Sequence, residues 1–423
     1  MSEIKLAAGT GGSVVVDHCQ VCNATELVPV FFAGYLPPVN EMPPIGEPPR
    51  EQPSYPAQVL LCRRCQLAQL GLVVDPAILF PPSYPYTSGT TKILRENFAE
   101  LAQEVARLYP LGAQDLVVDI GSNDGTLLSN FQAGHRVHGI EPTNAGDLAV
   151  ARGISTLKAF FNRAAVDASV AAHGRAKLVT ATNVFAHIED VSEIMRCVLE
   201  LLDDDGLFVT ESHYWLALLE TLQYDTIYHE HLRYYSLTSI KYLLEANGLE
   251  VVRVKRIPTH GGSIRVYAAR KGKRAIDASV AATLAIEARE LTEQRFAAFR
   301  SDVVRSKLEL HALLKDIHAA GGKVYGIGAP SRASTLINYV GLDDGILDCV
   351  LEIKGSYKIG KYMPGTVIPV LEESRLFDDQ PAYALLLSWH IADELIPKLT
   401  ARGFRGDFIV PLPRPHVVTG KRG

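Results

Sequence analysis

Between residues 92 and 108 the apolar positions fall at helical spacing. Leu94, Phe98, Leu101, Val105 and Leu108 share one face of "KILRENFAELAQEVARLY". The pattern then changes. "DLVVDIGSNDGTLLSNF" is an apolar run, a glycine-bearing turn and a helix start. "RVHGIEP", "AKLVTATNVFAHI" and "GLFVTESHY" predict three more strands, with the helix "DVSEIMRCVLELL" before the last. Strands alternating with helices predict a parallel α/β sheet covered on both faces. "LTSIKYLLEANGLEVVRVKRI" reads as a helix ending at Asn247-Gly248 and then a strand, and "GGSIRVYAARK" as its antiparallel neighbour. Residues 273–320 read as a helical connector. "KVYGIGAPSRASTLINY" opens a second strand-turn-helix series, so residues 321–413 are expected to form a further α/β domain of Rossmann type.

Residues 1–16 are rich in Gly, Ser and Ala and are expected to fray. Two cysteine pairs follow within residues 1–75, and the first α/β domain is expected over 76–272. Between the pairs lies "LPPVNEMPPIGEPPREQPSYP", whose eight prolines rule out a helix. A solvated polyproline-like loop is expected there. The last residues, "PHVVTGKRG", read as a tail.

Composition narrows the function classes. The chain has 423 residues, 47% hydrophobic and 21% charged, with a formal net charge of -5. No block of Lys and Arg marks a nucleic-acid or anionic-membrane footprint. No leader and no long apolar run stands out, so a cytoplasmic protein is the default expectation. Oligomeric state is not legible.

Cys19 and Cys22 form one pair, Cys62 and Cys65 the other, in a C-x2-C-x39-C-x2-C pattern. Four thiolates give Zn2+ a closed tetrahedral site, which is structural because no coordination position stays open. His18 is adjacent, but four cysteines already fill the shell. Cys197 and Cys349 stand alone in apolar contexts and read as buried bystanders.

"VVDIGSNDGTLL" places Asp119, Gly121, Asp124 and Gly125 at the end of an apolar strand. Glycines there let the backbone turn tightly and approach a ligand. Glu141 ends the next strand, where an acid can accept the ribose hydroxyls of an adenosine ligand. The spacing departs from the dinucleotide pattern and resembles the first motif of class I S-adenosylmethionine (SAM) methyltransferases. By that likeness Asn183 and Phe185 would pack around the ligand, although Phe185 reads equally as core.

"TIYHEHLRYYS", residues 226–236, follows the fourth strand, where active residues of parallel sheets collect. His187 in "NVFAHIEDV" lies at such an edge too. His187 and the 228–231 cluster are therefore expected to face one cleft. A group of this kind suits methyl transfer to carbon: a base removes a proton beside a ketone and donors hold the enolate oxygen.

Ten stretches together resemble the SAM-dependent sugar C-methyltransferases of deoxysugar biosynthesis over nearly the whole chain. They are "CQVC…CRRC", "YPYTSG", "VVDIGSNDGTLL", "GIEPT", "NVFAHI", "YHEHLRYYS", "HGGSIRVY", "YGIGAPSRASTL", "GKYMPGTVIPV" and "SWH". The resemblance implies an N-terminal zinc-binding domain, a central class I SAM methyltransferase domain of Rossmann-like fold and a C-terminal Rossmann-like α/β domain for the nucleotide-sugar. It implies methylation of carbon 3 of a nucleotide-linked 4-keto-6-deoxy sugar, with dTDP the expected carrier. His231 would then be the base. Tyr228 and His187 would position the ketone or hold the enolate, Glu230 would bind a hydroxyl, and Tyr86 would close over the ligands unless it is a packed aromatic.

The third domain departs from the family pattern. "GAPSRASTL" stands where many relatives carry a Lys-Gly version, and "SWH" ends in His390 where asparagine is common. Ser331 and Arg332 at a helix start suit phosphate, or simply start the helix. His260 and Arg265 of "HGGSIR" could line the sugar site, though a tight hairpin explains the glycines as well. Two other classes stay open: O- or N-methylation of a small molecule, and a zinc-knuckle binding module with a degenerate SAM fold.

Overall fold

The computed structural model describes residues 7–8, 12–48, 51–79, 89, 91–188 and 190–420. Tyr86 lies outside the described residues. Among those described, no helix is long and apolar enough to cross a membrane.

The central sheet has seven strands. In spatial order they are Leu249–Ile257, Ser263–Arg270, Leu202–His213, Ala176–Thr182, Leu116–Ile120, Arg136–Ile140 and Thr156–Leu157. Ser263–Arg270 runs antiparallel to both its neighbours and the remaining pairs are parallel. Leu116–Ile120 is buried at every residue, as a strand covered on both faces must be. The strand order reverses between Leu116–Ile120 and Ala176–Thr182. That reversal opens a crevice at the carboxyl ends of the strands, where ligands of such sheets bind.

A second seven-stranded sheet belongs to the third domain. Its order reverses between Val324–Ile327 and Tyr383–Leu386. The turn after the first carries Gly328 and leads to the helix Ser331–Val340. The turn after the second carries Trp389 and His390. Both turns pack against the central domain, so the two crevices open toward each other.

The predicted connector is two helices, Ala278–Glu290 and Glu293–Ala319. The first lies against Leu249–Ile257, and its Glu287 accepts from the amides of Leu237 and Thr238. The second packs Phe299 against Phe31 of the strand Leu27–Leu36, ring centroids 5.4 Å apart. Zinc-domain strands, that helix and the third domain thus share one apolar core.

The proline-rich segment departs from expectation. Pro37, Pro38, Val39, Met42 and Pro43 are buried rather than solvated. Ile45 donates to Gly360 O and Tyr362 donates to Pro43 O. The prolines still exclude a helix, and the rings of Pro37, Pro38 and Pro43 are buried near the seam with the third domain, while Pro44 and Pro48 stay exposed.

Candidate active site and zinc centre

The two cysteine pairs sit on matching turns. After each pair comes one left-handed residue, Asn23 (φ 58°) or Gln66 (φ 60°). Its amide donates to the carbonyl of the first cysteine, Asn23 to Cys19 at 2.9 Å and Gln66 to Cys62 at 3.0 Å. The turns bring all four Sγ atoms within 4.8 Å of one another. Cys19–Cys65 and Cys22–Cys62 are 3.4 and 3.5 Å apart. A tetrahedral Zn2+ with Zn–S near 2.3 Å needs about 3.8 Å between sulfurs, so the donor set and its size fit zinc. His18 turns away to Asp17. Cys197 and Cys349 are buried, and burial pushes their thiols up to about 11 and about 12, which leaves them inert.

Gln69 ties this knuckle to the 226–236 segment. Its Oε1 accepts from Gln20 N and its Nε2 donates to His18 O. Its strand, Ala68–Leu70, pairs with Arg233–Tyr234, and Leu70 N donates to Leu232 O.

The first crevice is lined by the expected motif. Gly121 has φ +66°, and a Cβ there would sit 2.7 Å from Val184 Cγ2. Gly125 has φ +76°, and a Cβ would meet Ile154 Cδ1 at 2.5 Å. Side chains are therefore excluded at both positions. Glu141 is buried, and its two oxygens accept from the amides of Asn123 (3.0 Å) and Thr143 (2.8 Å). These bonds fix the carboxylate yet leave lone pairs for ligand hydroxyls. Asp119 accepts from Thr180 Oγ1 at 2.6 Å. Burial raises it to about 7, and the charges of Glu141 and Glu211 add to the effect. Such a carboxylate favours a cationic ligand. Asn183, at φ +59°, buries an Oδ1 with no partner among the described residues. A buried orphan acceptor beside buried acids fits the ammonium and sulfonium of SAM.

Two of the expected cofactor residues also carry structural contacts. Asp124 caps its own turn, accepting from Thr126 Oγ1 at 2.7 Å and from Gly89 N at 3.2 Å. Phe185 is fully buried against Phe208, ring centroids 5.8 Å apart, and is core.

The expected His187 and 228–231 cluster gathers at the same sheet edge, His229 excepted. His231 stands 5.0 Å from His187 and 4.1 Å from Tyr228, ring to ring. A third neighbour, His213, lies 4.7 Å away. His260, at φ +56°, stands 5.3 Å beyond His213. His231 Nδ1 bonds the carbonyl of Thr226 at 2.9 Å. A carbonyl only accepts, so Nδ1 carries the proton and Nε2 keeps its lone pair. Nε2 has no partner among the described residues. Burial and the neighbouring His187, His260 and Arg332 hold His231 well below the usual histidine range. It is therefore neutral at pH 7. Burial also lowers His187 and His260 to about 4.

His229, expected to join this cleft, points the other way. It packs on Tyr55 and reaches Pro56 O. Glu230 is buried and accepts from Asn40 Nδ2 of the proline segment at 2.6 Å.

Arg265 does not line the cleft. It alternates onto the helix Lys92–Leu108 side of the sheet. There it bonds Glu211 (2.6 Å), Glu100 (2.6 Å), Glu104 (3.0 Å) and Asn97 (2.9 Å). Arg332 is also committed: Nε and Nη2 each bond Asp225 at 2.8 Å. Only Nη1 lacks a partner among the described residues. Ser331 opens the same helix and is half-buried.

Family models cover most of the chain: a zinc binding domain over residues 19–80, a methyltransferase domain over 93–254 and a C-methyltransferase C-terminal domain over 258–413. The C-methyltransferase NovU of Streptomyces niveus is 34% identical over 414 residues, covering 96% of this chain and 98% of that protein. The chain belongs to the SAM-dependent sugar C-methyltransferases of deoxysugar biosynthesis.

Solved structures overlap only in part. The geranyl diphosphate C-methyltransferase of Streptomyces coelicolor is 14% identical, covers 42% of this chain and 79% of that one, and gives a TM-score of 0.33. The magnesium protoporphyrin IX methyltransferase of Synechocystis gives 16%, 42%, 79% and 0.32. Overlaps this small say nothing of substrate. In this C-methyltransferase the sequence reading missed His213, Asp225 and Asn40. His213 ends the fourth strand, so the sheet-edge rule could have found it. Asp225 and Asn40 carried no local signal.

Proposed function

We propose that this C-methyltransferase methylates carbon 3 of a nucleotide-linked 4-keto-6-deoxy sugar through an enolate, with dTDP as the carrier. The observation that carries the reading is the neutral His231. Its Nδ1–H is fixed and its Nε2 has no partner among the described residues, at the sheet edge that also carries the SAM motif. Methyl transfer to oxygen or nitrogen uses one base or alignment alone, whereas carbon needs both a base and donors for the enolate oxygen, and His231 stands among such donors.

In this reading His231 Nε2 takes the proton beside the ketone. The C–H electron pair becomes the carbon–carbon double bond of the enolate, and its negative charge falls on the ketone oxygen. His187, Tyr228 and His213 surround His231 and supply donors to that oxygen. Glu230, oriented by Asn40, grips a sugar hydroxyl. SAM supplies an electrophilic methyl group when bound, and Asp119, Gly121, Glu141 and Asn183 would hold it. Arg332 Nη1 and Ser331 would meet the diphosphate, with His260 and His390 nearby. A reducing, cytoplasmic setting suits four zinc thiolates and two buried free thiols.

The test is mass spectrometry of dTDP-4-keto-6-deoxy sugars incubated with the enzyme in D2O. Deuterium should enter beside the ketone without SAM, and one carbon-bound methyl should appear with it. Methylation on oxygen, with no exchange at carbon, would overturn the enolate route.

A further inference from the structure

Asp225 sits at the meeting point of the two crevices, fully buried. Its carboxylate receives three donors from the third domain. Arg332 Nε and Nη2 each lie 2.8 Å away, and Trp389 Nε1 lies 2.7 Å away. The guanidinium stacks 4.8 Å above the indole. Arg332 Nη2 also reaches Gln223 Oε1 at 3.2 Å, and Gln223 Nε2 donates to Gly261 O at 2.7 Å. One short turn, Tyr224–Thr226, is thus gripped by the helix start at Ser331, by the Trp389 turn and by the turn carrying His260.

The next residue is Thr226, whose carbonyl holds His231 Nδ1–H. Its hydroxyl donates back to Gln223 O at 2.8 Å. That carbonyl lies in the Thr226–Ile227 peptide, whose Ile227 N donates to Tyr224 O, the carbonyl of the peptide entering Asp225, at 3.0 Å, so a shift of Asp225 loosens it. The histidine then loses what fixes its tautomer, and Nε2 need no longer be the basic nitrogen. No substitution at Thr226 can delete a carbonyl, so the Asp225 side chain, which anchors the whole turn, is the point of control.

A buried ion pair adds little net stability over an apolar contact of equal volume. What it supplies here is a fixed geometry across a domain junction. We propose that Asp225 is a positioning residue for the base, set by Arg332 and Trp389 of the third domain. Docking of the nucleotide-binding domain and readiness of the proton-abstracting site are then one event. This inference rests on the reading of His231 as the base.

The test uses the zinc-loaded full chain and whichever dTDP-4-keto-6-deoxy sugar the wild type exchanges fastest in D2O without SAM. The variants are Asp225→Asn, Trp389→Phe and His231→Gln. Asp225→Asn should lower exchange at saturating sugar about 10²-fold and Trp389→Phe about tenfold, as misplacement of a base does. The half-saturating sugar concentration should stay within about threefold of wild type. In 15N-histidine spectra both variants should lose the Nδ1–H tautomer of His231. Wild-type exchange rates, or a rise confined to half-saturation, would overturn the proposal by making the junction a plain substrate clamp or a structural pair. Should Asp225→Asn fail to fold, Trp389→Phe decides, since it keeps the ion pair and an aromatic plate under it. His231→Gln separates the two readings. If that variant still exchanges, the base assignment fails, while the tautomer spectra still report whether Asp225 governs His231.

Discussion

Asn40 donates to Glu230 at 2.6 Å across 190 residues of chain. The bond carries the proline-rich segment of the zinc domain into the substrate end of the cleft. It is charge-assisted and partly buried, so its loss should cost about 1.5–3 kcal/mol. Asn40→Ala should therefore raise KM for the sugar roughly tenfold or more and change SAM affinity little. Exchange kinetics and calorimetric SAM titration measure both. An unchanged KM would mean that Glu230 holds its orientation through other contacts.

Glu141 is fixed by two backbone donors, Asn123 N and Thr143 N. Its carboxylate is aimed before any ligand arrives. Glu141→Ala removes the acceptor for the ribose hydroxyls and frees two amides at the crevice. SAM affinity should weaken by about 1.5–3 kcal/mol, while zinc content stays at that of the wild type. Titration calorimetry with SAM reads the first and metal analysis the second. Undiminished SAM affinity would remove Glu141 from the cofactor site.

The depressed histidines set the pH behaviour. A base works when deprotonated, and burial holds His231 well below its ordinary value of 6.5. The acid limb of kcat/KM for exchange should therefore lie well below 6.5. The same shift acts on folding. A group whose pKa is depressed in the folded state contributes stability above the unfolded pKa and loses it as pH falls. His187 and His260, both near 4, place that loss between about pH 6.5 and 4. Rate and thermal midpoint should be measured together across the window. An acid limb at or above 6.5 would mean that the working base is not buried as His231 is.

Legibility in the sequence followed locality. The strand-turn-helix series, both cysteine turns and the glycine motif are spelled by neighbouring residues, and they appear where the pattern puts them. Residues whose partners are distant were legible only in part. Arg265 looked like a free cation beside a glycine hairpin, but period-two alternation sends it to Glu211 and the helix Lys92–Leu108. Arg332 looked like a phosphate ligand at a helix start, yet Asp225, 107 positions earlier, takes two of its nitrogens. Phe185 could be core or cofactor wall, and only the packing against Phe208 separates the two. The proline segment had the composition of a solvated loop, and its burial depends on a domain nearly the whole chain away.

The zinc centre reaches the chemistry through Gln69. That side chain clamps the first knuckle turn at Gln20 N and His18 O. Its strand pairs with Arg233–Tyr234 directly after His231. The metal supplies folding free energy to the turns that need it, because four thiolates cannot crowd together without a cation. Cys62→Ser should therefore lower zinc content and the thermal midpoint together. Exchange at carbon should fall with them, although no cysteine touches the cleft. Titrating a chelator against the wild type should move metal content, melting and exchange along one curve, and zinc should restore all three. Exchange that survives with zinc removed would mean that the strand pairing alone holds the 228–231 segment, and that the knuckle serves only its own domain.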